Sequence, residues 1–517
     1  MTDFFPSEAR ELIGPEVQKL QRTFNALDPQ YGIHADGVTD DTAAIQNLLN
    51  IAAGAGEVWL PNKGLPYLIT GTLNTPSHTR LRIDGMIQLK FGVSASMISL
   101  GIGTTDIHIY GRGIVDGGGI DQAHVNAGIW GIIAGDPTDY SSGAAGVTHA
   151  RIEGITLQNG ADGPTNIVNS TDVVLRGVRM LNWQNAGGFS QGCENCWCVG
   201  CYIDTITTDY GIGFYGNCHG CGIINCVAKN VHAAAFIVYS DQYSRGACTN
   251  CIISGCYSSN SSGTVLIQSA TGGTLTVPDV HRNITVVGCI GSFSTLGAPA
   301  GTGDFGCYSP TQNVAFIGCV SENCALDAGF VLFGSGNSIS NCFVHNCAYG
   351  NSAAAGQAVR FTLDTVSTTH GGPYTVSDCH IVDDQSTSTL LRGYDMLAPA
   401  GGLIASIHIR GGSVSGLSSS GSIINIPSGQ GWREHVTLEG LPGTSTVQTP
   451  AVPSSGTALT NITYARCAVY LTGGTVTEIA INGTATGLTS GMVLLAPGDT
   501  ITLTYSAAPT WVWLALP

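Results

Sequence analysis

The sequence predicts an all-β solenoid, and three observations carry that expectation. A Cys-x2-Cys-x4-Cys pattern occurs three times, at Cys193-Cys196-Cys201, Cys218-Cys221-Cys226 and Cys248-Cys251-Cys256. Its last cysteine recurs alone at Cys289, Cys319, Cys342 and Cys379, and going backwards Val178 and Ile155 fill the same slot. The uninterrupted steps, 155 to 178 to 201 to 226 and 319 to 342, span 23 to 25 residues. That is the period of a unit that buries its faces only against its neighbours. Composition is the third observation: 517 residues with 71 Gly and only 10% charged residues are too many for one ordinary core but suit stacked, uncharged ladders joined by tight turns.

The net charge of −16 argues against a nucleic-acid partner, because phosphate binding needs clustered Lys and Arg. No stretch approaches the roughly 18 uninterrupted apolar residues of a membrane span. The opening MTDFFPSEAR lacks the basic and apolar regions of a Sec signal, so none is expected. Eighteen cysteines raise disulfides and zinc as well as burial. Without a signal peptide disulfides lose their usual compartment, and zinc would need four thiolate or imidazole ligands. Each Cys replaces Val or Ile at a repeat slot, so the stronger reading is an inward ladder of small buried thiols, with no metal and no cofactor.

Taken in order, residues 1–28 form a short amphipathic N-terminal segment, with apolar positions at Leu12, Val17, Leu20 and Phe24. Asp40 or Asp41 caps a helix running from Thr42 to about Ala53, ended by Gly54 and Gly56. Two strands follow, EVWLP and PYLIT, across a Lys63-Gly64 turn. Tyr31-Gly32, Asp36-Gly37, Thr39-Asp40-Asp41-Thr42, Ala44-Ile45-Gln46 and Val58-Trp59-Leu60-Pro61 resemble the opening of pectate-lyase-like right-handed β-helix proteins, common in phage tailspike depolymerases. The run Gly111 to Gly119 resembles a turn frequent in the same superfamily. The resemblance implies a right-handed parallel β-helix with an N-terminal capping helix, a carbohydrate substrate, a homotrimer and a virion or extracellular location. The Asn-Thr-Asp, Asp-Asp and Gly-His-Gly set of the polygalacturonase branch is not present as such, so no catalytic residues carry over.

Residues 29–440 are then the capped parallel β-helix. Insertions at 241–246, 270–282, 294–308 and 352–373 are read as lengthened turns, of the kind that collect on one side of a solenoid and form a binding face. A Pro-, Ser-, Thr- and Gly-rich linker covers 441–456. Residues 457–517 alternate apolar and polar residues between Gly-rich turns and predict a C-terminal antiparallel β-sandwich.

Alternate residues of a strand face opposite ways. With Cys201, Val199 and Ile203 inward, Tyr202 and Asp204 face outward, and the neighbouring coils add Arg179, Lys229 and Tyr257 to the same patch. Asp209 faces out after the next turn, Tyr215 and Tyr239 form another outward pair, and His232 falls at a turn near Asp209. Tyrosine rings cover the C–H faces of a pyranose, and carboxylates accept from its hydroxyls. The candidate catalytic residues are therefore Asp204, Asp209, Asp241 and His232, and the candidate substrate-binding residues Arg179, Tyr202, Tyr215, Lys229, Tyr239 and Tyr257. Each also has a plainer role: turn capping for Asp204, Asp209 and Asp241, a hydrogen-bonded turn for His232, solvated ion pairs for Arg179 and Lys229, and ladder packing for the tyrosines.

The function expected is a tailspike-like depolymerase that hydrolyses glycosidic bonds of a bacterial surface or exopolysaccharide with paired carboxylates. The alternatives are a polysaccharide lyase acting by β-elimination and a glycan-binding fibre without catalysis.

Overall fold

Residues in the left-handed conformation punctuate the chain and break it into short strands. In the computed structural model Asn159, Asn182, Asn230, Asn250, Asn260, Asn283, Asn313, Asn323 and Asn346 all have φ between 51° and 59°, a region that Asn tolerates better than most residues. The structure describes residues 22–119, 129–135, 145–185, 187–240, 246–269, 280–294, 303–309, 311–325, 328–348, 356–362, 373–397, 406–419, 421–425, 436–441, 449–461, 466–496 and 498–516. The chain forms two units, one of residues 1–137 and 144–183, the other of 138–143 and 184–517.

In the first unit three parallel sheets advance one strand per coil. The first sheet orders Arg22–Asn25, Gly56–Leu60, Arg80–Ile83, Thr105–Gly111, Thr148–Glu153 and Thr171–Arg176. Val58, Leu81, Ile109, Ile152 and Leu175 stack in register as a buried column. Strand Arg22–Asn25, with Phe24 only 4% exposed, thus extends the sheet into the end of the segment that reads in sequence as amphipathic; Leu12, Val17 and Leu20 lie outside the described residues. The helix runs Thr42–Ala52 and buries Ile45, Leu48, Leu49 and Ala52. Asp40 Oδ1 accepts the Thr42 N–H at 3.0 Å, while Asp41 turns back to accept from the N–H groups of His34 and Ala35.

The second unit repeats the plan. Its three sheets, taken in turn along each coil, begin at strands Gly187–Ser190, Trp197–Val199 and Tyr202–Ile206, and all neighbours are parallel. Cys201, Cys226, Cys256, Cys289, Cys319, Cys342 and Cys379 are each 2% exposed or less. The thiol is preferred here over Val because it also donates: Cys226 Sγ to Cys198 O at 3.7 Å, Cys251 Sγ to Cys218 O at 3.7 Å, and Cys342 Sγ to Phe316 O at 3.6 Å. All eighteen cysteines are buried thiols outside any disulfide, and burial pushes the Cys198 and Cys218 thiols far up. Among the described residues no group of three or more His, Cys, Asp or Glu is placed to hold a metal.

Two expectations need correction. Val199 does not join Cys201 inside; Gly200, at φ 62°, turns the chain between two strands, so Cys198 and Cys201 both face inward and Val199 is half-buried. The insertions are not all turn, because 294–308 contains strand Gly303–Cys307 and 352–373 contains Gly356–Thr362. Glycines outside an alternating Phe305 and Cys307 hide the first of these strands in sequence.

Asp304 lies wholly buried in that strand. Its Oδ1 accepts from Thr264 and Ser294 at 2.7 Å, while Oδ2 has no hydrogen-bond partner among the described residues. Beyond the coils a four-stranded and a three-stranded antiparallel sheet enclose Val469, Leu471, Ile479, Leu495, Leu503, Trp511 and Trp513.

Two outcomes follow from this burial. Native thiols resist an aqueous alkylating reagent and react only on unfolding, and mass-shift labelling checks it; fast labelling of the native protein contradicts the ladder. Burial raises the Asp304 carboxyl above its ordinary value. The neutral acid is therefore the form the fold favours, and its stabilisation is complete below the ordinary carboxylate range and lost as pH rises through the native value. Asp304→Asn removes that component, so its melting temperature gains on wild type as pH rises above the ordinary carboxylate range.

Candidate functional site

The second unit presents the candidate residues on two outer faces joined by the 207–211 turn. On one face Tyr202, Val227 and Tyr257 stack in register, beside a column of Asp204, Lys229 and Ser259. On the other face Ser190, Tyr215, Tyr239 and Gln268 form a column, beside one of Gly213, Ile237 and Leu266. Gly213 leaves room for Ile237, whose methyl lies 2.2 Å from where a Cβ would stand.

Asp204 is the acceptor at the end of a ladder. The Asn230 amide donates to Oδ1 at 2.8 Å, the Tyr202 hydroxyl to Oδ2 at 2.9 Å and the Thr205 hydroxyl to Oδ1 at 3.2 Å. Lys229 pairs with Asp204 in register but makes no ion pair within 4.0 Å among the described residues. Thr205 has φ 63° at the position where the next coil has Asn230 at 53°. A β-branched residue there is strained by about 1–2 kcal/mol. The strain sits beside the best-coordinated carboxylate of this face, and such strain tends to collect at working sites.

Asp209 and Tyr210 are half-buried in the turn between the two faces. Tyr210, Tyr215, Tyr239 and Tyr308 pack on buried Ala234, Ile237 and Leu266. Tyr239 stands 5.9 Å from Tyr210 and 6.3 Å from Tyr215, the latter edge-on. Burial, with the Asp209 charge second, pushes the Tyr210 and Tyr215 phenols up. The Tyr215 hydroxyl is buried without a hydrogen-bond partner among the described residues. Further along the stripe lie Val331, Arg360, Asp395 and Asn425, with Asp395 held by Arg392 at 2.8 Å and Asn425 at 2.7 Å. His232 is exposed, next to Ala233, whose N–H donates to Asp209 O at 3.1 Å. Asp241 lies outside the described residues, and Arg179 opens strand Arg179–Trp183 of the first unit, exposed and paired with Thr156.

The structure thus brings Asp209 together with Tyr215 and Tyr239, and Asp204 with Tyr202. Tyr210 and Tyr308 complete the aromatic cluster and escape the sequence reading. The available signals were the Tyr directly after Asp209 and a Tyr following strand Gly303–Cys307. Residues 241–245, 270–279, 295–302 and 363–372 each adjoin in sequence a strand of the tyrosine-bearing sheet.

Replacing Thr205 by Asn relieves the strain and continues the amide ladder. The variant is expected to gain about 1 kcal/mol in thermal unfolding; a loss of stability contradicts the strain.

No protein-family model matches this sequence, and no curated protein sequence matches it. Solved structures do match. The N-terminal fragment of bacteriophage Phi29 gene product 12 is 14% identical, with a TM-score of 0.57 over 81% of this chain and 71% of that one. A tailspike mutant of Escherichia coli bacteriophage HK620 is 14% identical, with a TM-score of 0.55 over 92% and 89%. The A-module of a mannuronan C-5 epimerase from Azotobacter vinelandii is 15% identical, with a TM-score of 0.51 over 81% and 100%. With one parallel strand per coil in each of three sheets, an N-terminal helix and a C-terminal antiparallel sheet, the chain is a right-handed parallel β-helix protein.

Proposed function

We propose that the chain binds and depolymerises a bacterial surface or exopolysaccharide, hydrolysing its glycosidic bonds with paired carboxylates. The observation that carries the reading is the cluster of Tyr210, Tyr215, Tyr239 and Tyr308, with Asp209 beside Tyr210 and Tyr215. Aromatic rings of that number and spacing suit successive pyranose faces. Two of the proteins with this fold engage carbohydrate: the HK620 tailspike was solved with a bound hexasaccharide, and the Azotobacter protein is a mannuronan epimerase.

In this reading Asp209 protonates the leaving oxygen and Asp204, oriented by its three donors, activates water or attacks carbon. Asp241 and His232 are the alternates for either role. Tyr202, Tyr257 and Lys229 extend the subsites on the adjoining face, with Arg179 a further sugar contact. The raised phenols of Tyr210 and Tyr215 count against either of them acting as the phenolate base of the lyase alternative.

The protein acts as a homotrimer, carried on a virion or released outside the cell, with 441–456 linking the coils to the sandwich. Support for self-association is the apolar outer face of the three-stranded sheet, where Tyr470, Met492, Leu494, Val512 and Leu514 are each 42% exposed or more. Exposed apolar patches of this kind mark interaction sites.

Reducing-end release from a panel of bacterial polysaccharides tests the reading. Asp209→Asn and Asp204→Asn should each lower turnover by about a hundredfold or more, while Tyr239→Ala weakens binding several-fold. Undiminished turnover in both carboxylate variants overturns the assignment. Binding without any release makes the protein a glycan-binding fibre.

A further inference from the structure

The outer face of the first sheet in the first unit carries a charge pattern unlike the rest of the chain. The protein has 19 Lys and Arg against 35 Asp and Glu. On this face Glu57, Arg80, His108 and Arg151 stack in one column, and Arg82, Tyr110, Glu153 and Arg176 in the column beside it. Beside them lies a shallow, open cleft, lined by Arg82, Asp84, Tyr110, Arg112, Glu153 and Arg176 over a floor of Gly111 and Gly154. A Cβ on Gly154 would stand 2.8 Å from Gly111 O, so the floor stays bare.

Its side chains fall into two groups. Arg82 is fixed, with Nη2 2.7 Å and Nε 2.8 Å from Asp84 Oδ2, and its guanidinium 5.2 Å from the centre of the Trp59 ring. Trp59 Nε1 donates to the same oxygen at 2.9 Å. Glu153 is held by His108 Nε2 at 3.2 Å. Arg176 only reaches the 4.0 Å limit with Glu153, and Arg112 has no carboxylate within 4.0 Å among the described residues. A ladder serving only to neutralise itself would match every guanidinium. Here two exposed ones, Arg112 and Arg176, line a concave site beside a positioned pair of carboxylates.

We propose that this cleft binds a carboxylated sugar residue of a glycan. The guanidinium fork matches a planar carboxylate with two parallel hydrogen bonds. Asp84 and Glu153 accept from ring hydroxyls, which an inorganic anion or a purely anionic surface would leave unused. A shallow, open surface of this kind can follow a short stretch of an extended oligosaccharide. The proposal deepens the polysaccharide reading by naming an acidic glycan, and it rests on that reading only for the glycan's being a polymer.

The test is titration calorimetry on the full chain with trisaccharides of galacturonate, glucuronate, mannuronate and guluronate, against neutral maltotriose and cellotriose. At least one uronate trisaccharide is expected to bind tenfold or more tighter than the neutral ones, more weakly as salt rises. The Arg112→Gln, Arg176→Gln double variant should lose that binding tenfold or more while melting at the wild-type temperature. Equal binding of all the sugars, or uronate binding retained by the double variant, overturns the proposal. Poly-glutamate bound as tightly as the best uronate also overturns it, in favour of an acidic polypeptide. Uronate binding here without polysaccharide cleavage sinks only the depolymerase reading; cleavage of a neutral polysaccharide with no uronate binding sinks only this one.

Discussion

Within each unit, a side chain reaches its face only if successive coils pair in one register. A slip of one residue would turn every outward side chain inward, because the period of a strand is two. Flat parallel pairing alone specifies register weakly. In the second unit two devices fix it: a thiol on one coil donates to a carbonyl of the coil before it, and an asparagine amide donates to the asparagine one coil earlier. Asn283 to Asn250 at 2.9 Å and Asn313 to Asn283 at 3.2 Å show the second device, while Cys289 Sγ to Ile253 O at 3.6 Å shows the first. Neither works in a neighbouring register, since the αL residue and the thiol would meet the wrong partners.

The same constraint sorts the chemistry. Inward positions hold small thiols and aliphatics, together with large rings such as Phe305 and Phe330, which stack 5.0 Å apart. Outward positions are free to vary, so recognition collects there. Where the asparagine ladder is interrupted, Thr205 adopts the strained conformation and Asp204 takes over the acceptor role from the missing amide. A structural ladder and a candidate catalytic carboxylate thus meet at one residue, and the strain marks the exchange.

Charge is distributed with similar economy. The chain is acidic, yet the first unit places Arg80, Arg82, Arg112, Arg151 and Arg176 around Glu57, Asp84 and Glu153 on one face. The second unit instead builds its recognition surface from tyrosines around Asp209. Arginine forks select for a carboxylate, while phenol rings select for sugar faces, and the two surfaces therefore ask for different features of a ligand.

Much of the fold was legible because its causes are local and repeat. The thiol period, the Thr42–Ala52 helix with its Asp40 and Asp41, and the alternating C-terminal tail all follow from spacing and turn chemistry. Column partners such as Tyr202 with Tyr257 and Tyr215 with Tyr239 could be counted from that period. What spacing could not reveal was the phase change at Gly200, the strand hidden among glycines at 303–307, and the company each outward residue keeps. Tyr210 and Tyr308 join the aromatic cluster from a turn and from beyond a strand end, and the arginine cleft draws on strands up to 94 positions apart, from Arg82 to Arg176. The amino-acid sequence by itself determined which residues alternate in and out within an unbroken strand, because that depends only on a period of two. Only the tertiary structure decided which outward residues share a surface, because turns of unequal length set how far the chain travels before it returns to the same face.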